Sequence, residues 1–135
     1  MAVNYSATLK TNRMQLVADL IASRVAASST GTATAGTIVI GTSALSGATG
    51  VLATFTLSAT PGTVSGSVLT ISGTPLTATA TGTGTAALAE IRNNAGTVIV
   101  SGLTVGTSSA DIIINATAIS TGQSVTMTSG TLTHG

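Results

Sequence analysis

Charged and aromatic side chains are nearly missing from this chain, and that shortage limits what it can fold into. Asp, Glu, Lys and Arg make up 5% of its residues, and Phe, Trp and Tyr make up 1%. A typical soluble domain is about 25% charged. Thr, Ser, Gly and Ala fill the space instead. With Tyr5 and Phe55 as the only aromatics, a core must be assembled from small aliphatic side chains. General acid–base chemistry and metal ligation need ionisable groups, and this chain has few. A surface without charge also does little to repel a neighbouring protein, so the composition favours packing into an assembly.

At 135 residues the chain has the length of one domain. Each fully buried Leu, Ile or Val contributes roughly 1.5–3 kcal/mol. Four cations, Lys10, Arg13, Arg24 and Arg92, give a net charge of +1. Spread this thinly they cannot neutralise a run of phosphates, so no nucleic-acid partner is expected. There is no Cys, hence neither a disulfide nor a thiolate metal site. Mean hydropathy is high, +0.60, yet no run of about 18 apolar residues exists. The longest candidate, residues 14–22, is interrupted by Gln15 and Asp19. No membrane partner is expected, and the opening MAVNYSATLK does not read as a signal peptide.

Residues 1–27 differ from the rest and read as an N-terminal helical arm. Leu9, Leu16, Val17, Leu20, Ile21 and Val25 recur at helical spacing, which predicts a helix over about 6–25 with Ser6 as N-cap. Lys10 lies early and Asp19 late, opposing the helix dipole by a few tenths of a kcal/mol. Such a helix needs packing, either on its own sheet or on a neighbour. Residues 28–36, STGTATAG-rich, read as a linker.

Residues 37–135 read as a β domain. Stretches 37–40, 51–58, 68–71, 76–81, 86–92, 97–101, 111–115 and 124–128 are rich in β-branched residues and bounded by turn formers, with 103–105 and 131–133 as shorter candidates. Val51, Ala53, Phe55 and Leu57 alternate with Leu52, Thr54, Thr56 and Ser58. Stretches 97–101 and 111–115 carry consecutive apolar residues, which implies burial on both faces or an interface. Asn93-Asn94-Ala95-Gly96 predicts a hairpin with Gly96 left-handed, and Thr121-Gly122-Gln123 another turn. The fold class is therefore mainly β: an antiparallel sandwich, jelly-roll-like, or a small barrel, preceded by an N-terminal α-helix.

The motifs that carry chemistry are sparse. Thr77, Thr79, Thr81, Thr83 and Thr85 share one strand face. They resemble a single rank of an ice-binding array, but the simpler reading is a solvent-facing strand side. His134, Asp111 and a serine could formally compose a triad, yet no G-x-S-x-G elbow is present. Asp19, Glu90 and Asp111 are the only acids; Glu90 and Arg92, two apart, read as a surface ion pair worth about 0–1 kcal/mol. No catalytic residue, cofactor or metal ligand is assigned, and an enzyme is not expected.

GTIVIGTSALSGATGVLATFTLS (36–58), the stretch from GTGTAALAEIRNNAGTVIVSGLTVG onward (82–134) and NYSATLKTNRMQLVADLIA (4–22) resemble small Thr/Gly/Ala-rich virion proteins of tailed bacteriophages. The resemblance implies a virion structural protein, a head decoration (cement) or minor capsid protein that stabilises the lattice. Such proteins are homo-oligomers, often trimers, seated where capsomers meet. It further implies the major capsid protein as partner, the virion as location and assembly in the host bacterial cytoplasm. On that reading the interface falls on Leu9, Arg13, Leu16, Val17, Leu20 and Arg24 of the helix and on Ile112 and Ile114 of the IIIN strand. The competing reading is a tail, baseplate or fibre module that binds a host surface, which the scarcity of aromatic stacking platforms disfavours.

Overall fold

The structure, a computed structural model, describes residues 4–24 and 30–133. Val25 and His134, and positions 28 and 29 of the expected linker, lie outside the described residues.

Helix α1 (Ala7–Ile21) begins where Ser6 turns extended (φ −62°, ψ 155°) and its hydroxyl accepts from Leu9 N at 3.2 Å. That is the N-cap the sequence predicts. The helix stops at Ile21, short of the expected end near 25, and Ala22 caps it. Its first turn holds no acid and its last turn no base, so packing rather than dipole compensation holds it. The packing is in cis, against the chain's own sheet.

The face it buries shares only part of the expected stripe: Ile21 is buried and Val17 packs against the core, but the leucines turn outward. Met14, Ala18 and Ile21, at i, i+4 and i+7, are buried, whereas Leu9 and Leu20 are 41% and 44% exposed. The sheet takes the strip with alanine at its centre, because a small side chain there lets helix and sheet approach closely.

The chain then builds β1 (Thr37–Ser46), β2 (Thr49–Thr56), β3 (Gly62–Ser65), β4 (Val68–Ile71), β5 (Leu76–Thr79), β6 (Gly84–Thr85), β7 (Leu88–Arg92), β8 (Val98–Gly106), β9 (Ile112–Ile114), β10 (Ala118–Ile119) and β11 (Ser124–Thr133). The mainly β architecture behind one N-terminal helix is as expected. Its finer form is one hydrogen-bonded path, β2-β1-β7-β8-β9-β11-β4-β3, with β5 also on β11 and β6–β10 as a separate short ladder. The sheet is mixed because β8 and β9 run parallel, and the path does not close into a barrel. Strand β11 is its spine. One edge pairs with β9, and the other carries β5 and then β4 end to end along its ten residues.

Both predicted turns form. Asn93 N donates to Thr97 O at 3.0 Å across the β7–β8 hairpin, with Gly96 at φ +86°, and Gly122 turns at φ +87° before β11. Strand β3 went unpredicted. It pairs with β4 through a turn at Gly66 and Ser67, and only Val64 interrupts an otherwise small and polar stretch.

Ile38, Ile40, Leu52, Phe55, Ile91 and Met127 lie at the centre of one core, each at most 1% exposed. Met14, Ala18 and Ile21 belong to the same cluster. The helix is thus part of the β core rather than an arm set apart from it. Nor is the described part of the expected linker free. Thr34 N donates to Ala22 O and Leu57 N to Gly36 O, both at 2.9 Å.

Candidate interaction surface

The three acids are the natural place to look for chemistry, and the structure gives each a role in holding the fold. Asp111 sits just before β9. Its Oδ2 accepts from Thr104 N at 3.0 Å and Thr104 Oγ1 at 3.1 Å, while Asp111 N donates to Thr104 Oγ1 at 3.0 Å. Asp111 O accepts from Thr131 N at 2.9 Å. One residue therefore clasps β8 to β11 where β9 begins.

Glu90 pairs with Arg92 as the sequence predicts, Oε2 to Nη2 at 2.8 Å, and Arg92 Nη2 also donates to Gly47 O at 2.7 Å. The side chains are only 12% and 17% exposed, so the pair is more sheltered than the expected surface pair. It ties β7 to the β1–β2 turn. Asp19 is buried in α1 at 1% exposure, with Oδ1 accepting from Gln15 Nε2 at 3.2 Å. Among the described residues no group of three His, Cys, Asp or Glu side chains could hold a metal ion. None of their helices is long and apolar enough to cross a membrane.

The threonine row does not lie on one strand face as expected: Thr77 and Thr79 belong to β5, Thr85 to β6 in the separate ladder, and Thr81 and Thr83 fall between them. Thr77, Thr79, Thr81, Thr83 and Thr85 are all exposed, with Ala80 buried beneath them. Thr83 and Thr121 hydroxyls lie 3.1 Å apart, which joins the row to the β10–β11 turn.

What remains outward-facing and apolar lies in two places. The first is α1. Leu9, Arg13, Leu16 and Leu20 follow i, i+4, i+7 and i+11 and form one strip opposite the buried face. Leu9, Asn12, Arg13, Gln15 and Leu16 line a shallow groove of about 230 Å³. The Arg13 guanidinium lies 4.7 Å from the centre of the Tyr5 ring, a cation–π contact that orients it along the strip.

The second is β8. It pairs with β7 along its length but with β9 only at Val105 and Gly106. Among the described residues, no strand pairs with the other edge of residues 98–103. Val98 is 43% exposed there, and Ile99 and Val100 are half-buried. Where β8 and β11 diverge, a cavity of about 300 Å³ opens beneath α1, bordered by Met14, Val17, Val100, Leu103, Asp111 and Leu132.

The structure thus divides the predicted interface residues. Leu9, Arg13, Leu16 and Leu20 come together on one outward strip. Val17 is half-buried against the core. Arg24, past the helix end, is half-buried, with its Nε enclosed and lacking a hydrogen-bond partner among the described residues. Ile112 and Ile114 are corrected. At 0% and 2% exposure they are consumed by the chain's own core, because β9 lies between β8 and β11 and both residues point inward. Of the other apolar run, in β8, Val98 alone stays exposed, while Ile99 and Val100 pack partly against the core. Consecutive apolar residues in 97–101 were the signal for it. Comparison with protein-family models, curated proteins and solved structures gives no match to this chain.

Proposed function

We propose that this chain is a non-enzymatic virion structural protein, a head decoration or minor capsid protein of a tailed bacteriophage. In this reading it self-associates, as a trimer, and stabilises the capsid lattice; it assembles in the host cytoplasm and resides in the virion. The observation that carries the reading is the uncharged edge of β8, where no strand among the described residues pairs with residues 98–103 beyond β7, on a body that is almost without charge. Open edges of this kind are a liability that proteins blunt with lysine, proline, bulges or a cover. Residues 98–101, VIVS, carry neither lysine nor proline; register shifts against β7 bulge the strand but leave Val98 exposed, so a neighbouring subunit is the natural cover. The resemblance of residues 4–22, 36–58 and 82–134 to phage virion proteins supplies the biological setting.

The acids argue in the same direction. Asp111 and Glu90 are bound up in strand-to-strand contacts, and Asp19 is buried. Size-exclusion chromatography with light scattering is expected to give a trimer mass, and the protein is expected to co-sediment with capsids of its phage. A stable monomer with no affinity for capsids would sink the reading. Cryo-EM of native particles locates the protein directly, and density on the tail rather than the head would replace decoration with the tail-module reading.

A further inference from the structure

We infer that the cavity between β8 and β11 binds an alkylammonium group, that is, an apolar chain ending in a protonated amine. The cavity, about 300 Å³ in volume, is bordered by Met14 and Val17 of α1, Val100 and Leu103 of β8, Leu132 of β11, and Asp111. Ligand sites begin at about this size and are mostly apolar, with a few polar groups that fix orientation. Here five apolar side chains accompany a single charged one. A ligand that fills the cavity must be mostly hydrocarbon and must answer one carboxylate.

Asp111 decides what the polar end is. Its Oδ2 accepts from N and Oγ1 of Thr104, both neutral donors, so these bonds leave its charge in place. Its Oδ1 has no hydrogen bond among the described residues, and none of their cations pairs with it. An anion would meet like charge. A metal ion needs more ligands than one carboxylate offers, and among the described residues no group of three suitable side chains exists. A guanidinium binds a carboxylate best through two parallel bonds, one to each oxygen, and Thr104 already holds one of the two. An ammonium is a compact point charge that needs only the free oxygen, and it can turn its other hydrogens to nearby hydroxyls. Ser101 and Thr133 bring two hydroxyls to the same border. Lysine carries such a group on a butyl stem, so the source is either a free amine or a lysine side chain. The inference does not rest on the structural-protein reading.

The test titrates the full chain, isotope-labelled at its methionine methyls, with pentylamine, pentanol and pentanoate while NMR follows the methyl signals. Met14 borders the cavity, whereas Met127, at 0% exposure in the core, serves as internal control. Pentylamine is expected to shift Met14 without moving Met127, and to bind about fivefold more tightly than pentanol. Pentanoate is expected to bind most weakly, and added salt to narrow the spread. Asp111→Asn keeps a carbonyl acceptor for Thr104 and is expected to bring pentylamine down to the affinity of pentanol, with pentanol unchanged. Val17→Phe narrows the cavity and is expected to weaken all three. Circular dichroism checks that both variants are folded; if Val17→Phe is not, Asp111→Asn decides alone. A peptide with one central lysine and its Nε-acetylated twin separate the sources. A Met14 shift from the lysine peptide alone assigns a lysine side chain, and no shift from either assigns a free amine. Equal affinities for the three small probes, equal shifts from the two peptides, a Met14 signal that nothing moves, Met127 moving in step with it, or an amine preference that survives Asp111→Asn would overturn the inference. None of these readouts depends on oligomer mass or capsid binding, so this inference and the structural-protein reading fail separately.

Discussion

Asp111 shows how a residue that invites a catalytic reading can be a fastener. Its carboxylate takes both the backbone N and the hydroxyl of Thr104, and its own N returns a bond to that hydroxyl. Replacing Asp111 by alanine strips the acceptor from Thr104 N, and an amide left unsatisfied costs about 1–3 kcal/mol. Asp111→Asn keeps one carbonyl acceptor and should cost less. Urea midpoints of the two variants check this; equal, negligible shifts would mean the clasp contributes nothing. The contact was not legible in the sequence, because Asp111 and Thr104 meet only after the chain steps sideways from β8 into β9. The Glu90–Arg92 pair was legible, since residues two apart in a strand share a face. Its shelter was not, because the Gly47 carbonyl that also receives Arg92 comes from a different hairpin.

Elements fared according to how local their cause is. Ser6 caps α1 through a bond within one turn, and the Asn93–Gly96 hairpin closes within four residues, so both could be read directly. Strands β8 and β11 were each read as two pieces, split at Gly102 and near Gly130. Gly102 instead occupies a bulge at φ +73°, where β8 has an extra residue against β7. Gly130 is a site of close approach, where a Cβ would stand 3.1 Å from both Ile112 and Ile71 side chains. Glycine inside a strand marks a bulge or a tight contact as often as a break, and only the neighbouring strand tells which. The open edge of β8 is also an element-scale property. Val98→Lys places a charge on that edge without touching the core, since Val98 is 43% exposed. The expected result is a folded protein of monomer mass by light scattering, with its unfolding midpoint otherwise little changed. An oligomer of undiminished mass would move the self-interface elsewhere.

On the scale of the whole molecule, the question is whether α1 is an appendage or part of the core. Met14 and Ile21 are buried at 3% and 0% exposure in the same cluster as Ile38 and Leu69. Their burial contributes about 3–6 kcal/mol together, a large part of the roughly 5–15 kcal/mol that stabilises a domain. A chain truncated to begin after Ala22 should therefore bind ANS and lose cooperative urea unfolding. An unchanged midpoint would restore the separate-arm description of residues 1–27. The sequence alone determined the class of this protein. A chain with so few charges and so many β-branched residues must build strands around a small-aliphatic core, because hydrophobic periodicity and turn chemistry act over a few residues and survive any topology. It also determined that surface chemistry would be scarce. The tertiary structure decided which apolar stripe of α1 turned inward, which isoleucines were consumed by the core, and where each of the three acids went. Those outcomes depend on which strands become neighbours, and neighbour choice is set by long-range packing that no local pattern encodes.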